Sequence, residues 1–132
     1  MWIASKFGFF SIVKDISTNQ NVHIWMVRAR VKSDIENVAD LLEIEHGDII
    51  ESDDSDYQYR ILVNLPQLED LMSEFAVNVD YPNFKDMIAE TDDQMSKVPF
   101  YTRVWSMFAE EFGTGLWNKL LREGNTEGEE LN

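Results

Sequence analysis

The sequence predicts an α+β fold: one domain over residues 1–121, built on an antiparallel sheet of about four strands in the order β-β-α-β-β, followed by helices packed against it. Three observations lead there. Apolar residues alternate with period two in the first half of the chain, they recur at helical spacing in the second half, and turn-forming residues separate the segments. Strands followed by helices favour an antiparallel sheet covered on one face.

Residues 2–13 are rich in Ile, Phe, Trp and Val without proline and predict a first strand, within which Gly8 marks a bulge or a close backbone approach. The polar stretch 15–21 predicts a turn. In the next strand His23, Trp25, Val27, Ala29 and Val31 share one face, and Met26, Arg28, Arg30 and Lys32 share the other. Ser33-Asp34-Ile35-Glu36 has the form of a capping box, and Ile35, Val38, Leu41 and Leu42 follow at helical spacing, predicting a helix that stops near Gly47. Ile49-Ile50 predicts a short strand ahead of an acidic turn. Tyr57, Tyr59, Ile61, Val63 and Leu65 then alternate against Gln58, Arg60, Leu62 and Asn64, which puts Arg60 on the side opposite the tyrosines and on one sheet face with Arg28 and Arg30.

Pro66 stands near the start of a helix whose Leu68, Leu71, Met72, Phe75 and Val79 form a stripe toward the sheet. Residues 80–83 break the pattern, Phe84, Met87 and Ile88 predict a short helix, and residues 90–97 read as a loop. A last helix opens after Pro99, with Tyr101, Val104, Trp105, Phe108 and Phe112 as its core stripe and Gly113 and Gly115 at its end. Leu116, Trp117, Leu120 and Leu121 make a further apolar face, and residues 122–132 form a polar tail expected to be disordered.

Composition excludes several functions. The 132 residues include 11 bases and 25 acids, a formal charge of -14, which repels nucleic-acid phosphate. Residues 1–33 carry five bases and one acid, so residues 34–132 carry six bases and 24 acids. No lysine or arginine lies between Asp34 and Tyr59. Cysteine is absent, which removes disulfides, thiolate metal sites and Cys nucleophiles together. The start of the chain lacks the pattern of a secretory signal and no apolar stretch reaches the length of a membrane span, so a cytoplasmic protein without membrane association is expected.

The usual motifs are missing as well. The two histidines, His23 and His46, have no second ligand at metal spacing, and no frame of residues 51–56 satisfies an EF-hand loop, so no metal or cofactor is expected. Neither G-x-S-x-G nor a phosphate-binding glycine loop occurs, and no catalytic residue is nominated.

Two residue sets remain as candidate sites. Arg28, Arg30 and Arg60, with Tyr81 and Lys85, could take a small anionic ligand, because arginine provides bidentate recognition of carboxylate and phosphate. Pairing of the arginines with Asp34, Glu36 or Asp56 is the competing, purely structural role. Asp34, Asp40, Asp53, Asp54 and Asp56 on the acidic lobe, or Leu116, Trp117 and Leu120 on the C-terminal apolar face, could dock a partner or a second copy of the chain.

The chain resembles a family of small, uncharacterised bacterial and phage-associated proteins. The resemblance is carried by Met1-Trp2, Gly8-Phe9-Phe10-Ser11-Ile12-Val13, Val27-Arg28-Ala29-Arg30-Val31, Asp34-Ile35-Glu36, Asp56-Tyr57-Gln58-Tyr59-Arg60, Asp80-Tyr81-Pro82-Asn83-Phe84-Lys85 and Val104-Trp105. It implies no activity. The strong acidity and the residues after Gly113 depart from the pattern.

The function expected first is a non-enzymatic, acidic protein-interaction module, whose partner would be basic if the acidic lobe is used. An acidic inhibitor imitating DNA toward a nuclease or defence protein is the alternative, and an anion-binding or enzymatic site on the strand arginines is the third.

Overall fold

In the computed structural model, which describes residues 1–17, 23–115, 119 and 123, the alternating segments form a five-stranded antiparallel sheet. The strands are β1 (Trp2–Ser5), β2 (Gly8–Lys14), β3 (Trp25–Ala29), β4 (Ile50–Glu51) and β5 (Tyr59–Val63), in the order β1-β2-β3-β5-β4. The helices are α1 (Lys32–Leu41), α2 (Leu65–Val77), α3 (Phe84–Ala89) and α4 (Val98–Phe112). The protein is α+β, as its sequence predicts, and the chain divides into two compact units, Met1–Asp80 and Tyr81–Asn132.

The first unit holds the sheet with α1 and α2. Phe10 and Ile12 of β2, Val27 and Ala29 of β3, and Ile61 and Val63 of β5 point to one face. They are buried there with Ile35, Val38 and Ala39 of α1 and Leu71 and Phe75 of α2. Phe10 stacks on Phe75 with ring centroids 5.6 Å apart. The spacing of Leu68, Leu71, Met72 and Phe75 that marked α2 in the sequence is therefore the spacing that buries it, whereas Val79 lies beyond the end of the helix and is exposed. Its start is held by a reciprocal pair in which Gln67 N–H donates to Asn64 Oδ1 and Asn64 N–H donates to Gln67 Oε1, both at 2.9 Å.

The extra strand comes from residues 2–13, which fold as a hairpin rather than one strand. Ser5 pairs with Gly8 across a two-residue turn at Lys6 and Phe7. Gly8 is no bulge: it has φ +146°, a conformation that residues with a Cβ rarely adopt. Asp34, 1 % exposed, sits directly against it and accepts a hydrogen bond from Phe9 N–H at 3.2 Å, while Asn37 Nδ2 donates to Phe7 O at 2.8 Å. The first turns of α1 thus clasp the hairpin turn.

The expected capping box at Ser33–Glu36 does not form. The helix begins at Lys32 with Val31 as its cap, no side chain bonds its first amides, and Ser33 lies inside the first turn. Its end also comes earlier than Gly47. Leu42 is the C-cap, Glu43 takes the left-handed conformation (φ 55°), and His46–Asp48 form a separate tight turn.

The second unit contains α3 and α4. Asn83 caps α3 by accepting from Asp86 N–H at 2.9 Å. Phe84 meets Tyr101 edge-on at 5.0 Å, and Lys85 Nζ lies 4.7 Å from the centre of the Trp105 ring. Tyr101 is buried as its place in the α4 stripe predicts. Phe108 and Phe112 are not: they are 62 % and 77 % exposed. Of the described residues, no helix is long and apolar enough to cross a membrane.

The clasp yields a test. Gly8→Ala forces a strained φ and drives a methyl into the Asp34 carboxyl, so it should lower the unfolding free energy by about 2–4 kcal/mol in urea denaturation. Gly47→Ala meets nothing within 4 Å and should change it by less than about 0.5 kcal/mol. Equal stabilities for the two variants would contradict the clasp.

Candidate functional site

The face of the sheet opposite α1 and α2 is built by the residues that alternate with the core. Because Trp2 pairs with Ser11, Ser11 with Arg28, Arg28 with Arg60, and Arg60 with Ile50, these five residues form one row across all five strands. Val13, Met26 and Leu62 make a second row beside it. Trp2 is 74 % exposed, Ile50 and Leu62 about two-fifths exposed, and Arg28 and Arg60 half-buried between them. The surface is therefore apolar with two guanidinium groups at its centre.

Arg28 and Arg60 stand directly opposite one another on neighbouring strands, an arrangement in which like charges repel. Their contacts within the chain are to neutral groups. Arg28 Nη2 donates to Ser11 Oγ at 2.6 Å, and its Cζ lies 4.6 Å from the centre of the Tyr57 ring. Arg60 Nη2 donates to the Ser55 hydroxyl and, at 3.2 Å, to Tyr57 O, and Nη1 approaches Met26 Sδ at 3.8 Å. Neither arginine has a carboxylate within 4.0 Å among the described residues, and the Nε of each is covered and lacks an acceptor there. A guanidinium offers five N–H donors, so much of the hydrogen-bonding capacity of the pair is unused by the chain.

Arg30 differs. Its Cζ also lies over the Tyr57 ring, at 4.1 Å, but Nη2 pairs with Asp56 Oδ2 at 3.2 Å in an exposed contact. The structural role weighed for the arginines thus applies to Arg30 alone. Three cations gather on one tyrosine, with one carboxylate among them.

Tyr57 itself corrects the sequence expectation. The alternation assigned it to the core face with Tyr59, but β5 begins only at Tyr59, and Tyr57, 7 % exposed, turns to the arginine side. Leu65 likewise leaves the strand pattern and is the first residue of α2, 48 % exposed. Ser11 and Ser55, which hold the two guanidiniums, carried no signal in the sequence beyond their strand and turn positions.

The other candidates are placed as follows. Tyr81 and Lys85 belong to the second unit, where Tyr81 packs on Phe84 at 6.0 Å and Lys85 is buried over Trp105. Asp34 is buried and cannot belong to a docking surface. Asp40 Oδ1 accepts from His46 Nε2 at 2.7 Å, Asp53 accepts from Gln58 Nε2 at 2.9 Å, and Asp54 is exposed. Leu116, Trp117 and Leu120 lie outside the described residues, as do 122 and 124–132 of the polar tail. The described end of α4 carries an open groove along Met107, Phe108, Glu110, Glu111 and Phe112. Among the described residues no group of three or more His, Asp or Glu could hold a metal ion.

No protein-family model, no curated protein and no solved structure matches the chain.

His46 has a raised proton affinity. Its hydrogen bond to Asp40 raises the pKa above the ordinary 6.5, and the charges of Asp40, Glu36 and Glu45 act the same way against partial desolvation. Nδ1 lies 3.3 Å from Glu36 Oε2, so the imidazolium bridges two carboxylates of α1. A folded pKa above the unfolded one stabilises fully below pH 6.5, and that contribution is lost as pH rises through the folded value. In NMR titration His46 should therefore titrate above 6.5, Asp40→Asn should return it toward 6.5, and the stability deficit of His46→Gln should be larger at pH 5.5 than at pH 9. A deficit equal at both pH values would overturn the assignment.

Proposed function

We propose that the protein is a non-enzymatic protein-interaction module that docks its partner on the arginine-bearing face of the sheet. The observation that carries this reading is the Arg28–Arg60 pair: two half-buried like charges directly opposed, without a carboxylate partner among the described residues of a chain that has 25 acids. A partly desolvated cation gains more from an incoming anion than a fully hydrated one. Exposed Trp2, Ile50 and Leu62 around the pair give a partner apolar area to cover, and tryptophan and arginine are the residue types that dominate binding energy at interfaces.

The acidic lobe supports a docking role less well. Asp34 is spent on Phe9 N–H, Glu36 and Asp40 on His46, and Asp56 on Arg30, so four of its acids are engaged inside the chain. The same engagements weigh against a DNA-imitating array, which needs exposed charges at the regular spacing of phosphates.

The test is photo-crosslinking in the native cell with a benzophenone amino acid at Leu62 on the proposed face, and at exposed Phe100 of α4 as the control site. A discrete protein adduct is expected from position 62 and not from position 100. It should fall at least about tenfold when Arg28→Glu and Arg60→Glu are combined, a loss equivalent to about 1.4 kcal/mol. An adduct that survives the double charge reversal, or that forms only from position 100, overturns the proposal.

A further inference from the structure

Resting on that reading, we infer that Arg28 and Arg60 together recognise one carboxylate side chain, an aspartate or glutamate set among apolar residues of the partner. Charge requires the anion and decides its type. A guanidinium binds carboxylate or phosphate through two parallel N–H···O bonds, and two guanidiniums placed by adjacent strands can each take one oxygen of the same group. An anion between them also converts their mutual repulsion into two attractions.

The surroundings then separate a carboxylate from a phosphate. The β4–β5 loop that supplies Ser55 to Arg60 also carries Asp53, Asp54 and Asp56, exposed like Glu51 at the end of β4, and the whole chain bears -14. Attraction to the two arginines and repulsion from these acids both grow in proportion to the charge of the ligand, whereas the cost of stripping water from it on a half-buried site grows with the square of that charge. A monovalent carboxylate therefore keeps the attraction at the smallest desolvation cost, whereas a phosphate dianion doubles the attraction but raises that cost about fourfold. The apolar residues beside the pair favour a carboxylate carried on a larger partner over a free ion, because such a partner can also cover Trp2 and Leu62. Arg30, already paired with Asp56, stays outside the recognition step and steadies Tyr57 beneath Arg28.

The experiment follows the Nε–H signals of Arg28 and Arg60 in 15N NMR of the full chain during titration. The probes are N-acetyl-glutamate N-methylamide, its glutamine counterpart, inorganic phosphate, and sodium chloride at matched ionic strength. The inference expects both arginine signals to move along one saturation curve with the glutamate probe, with at least about tenfold weaker response to glutamine and to chloride. Arg28→Gln should abolish the response of Arg60, since the site needs both. Phosphate binding tighter than glutamate at pH 7 would overturn the choice of a carboxylate. Independent curves for the two arginines, or equal effects of glutamate and chloride, would overturn a joint site. If the crosslink at position 62 depends on the arginines while the glutamate probe does nothing, the docking face stands and the carboxylate reading falls. If the probe binds jointly and no crosslink forms, the reverse holds.

Discussion

The pairing register between β3 and β5 is the constraint from which the rest of the surface follows. Because side chains alternate across a strand, a slip of β5 by one residue against β3 would turn Arg60 to the core face and Ile61 away from it. The core fixes which register is allowed: Val27, Ala29, Ile61 and Val63 pack under α1 and α2 with almost no exposure. Hydrophobic burial on one side of the sheet therefore forces two arginines into opposition on the other. A repulsive pair is maintained by packing that has nothing to do with its charge, and this is how a fold can present a group that gains from a ligand.

The supports around the pair keep it from relaxing. Ser11 lies next to Arg28 in the same cross-strand row and accepts a hydrogen bond from it, and the loop between β4 and β5 brings Ser55 and Tyr57 O to Arg60. The Tyr57 ring meets the guanidiniums of Arg28 and Arg30 with its π-face, an attraction that neutralises no charge. Neutral contacts of this kind hold position while leaving the positive charge available. At the other end of the sheet the Asp34 clasp on Gly8 sets the β1–β2 hairpin, which places Trp2 beside Ser11.

Much of this was legible in the chain. Period-two alternation gave β3 and β5 with their arginines on a shared face, and the helical stripe of Leu68, Leu71 and Phe75 gave the layer that covers the other face. What escaped were features decided by tertiary contact. Gly8 reads equally as a bulge or a close backbone approach until Asp34 is seen against it and decides for the approach, and the Ser33 capping box fails because α1 begins before it, at Lys32. Tyr57 continues the alternation on paper, but the strand starts two residues later, and only the structure shows it crossing to the arginines. The reciprocal Asn64–Gln67 cap was written in the sequence as Asn-x-x-Gln, a weaker variant of the usual signature. Phe108 and Phe112 satisfy helical periodicity yet lie exposed, because periodicity identifies a stripe and not what meets it.

The central claim, that Arg28 and Arg60 repel each other in the ligand-free protein, is most directly measured by a double-mutant cycle on unfolding free energy with Arg28→Gln, Arg60→Gln and the combination. A repulsive coupling of about 0.2–1 kcal/mol is expected, shrinking as salt is raised. A coupling near zero, or a favourable one that salt does not touch, would mean that the two guanidiniums do not face one another as uncompensated charges.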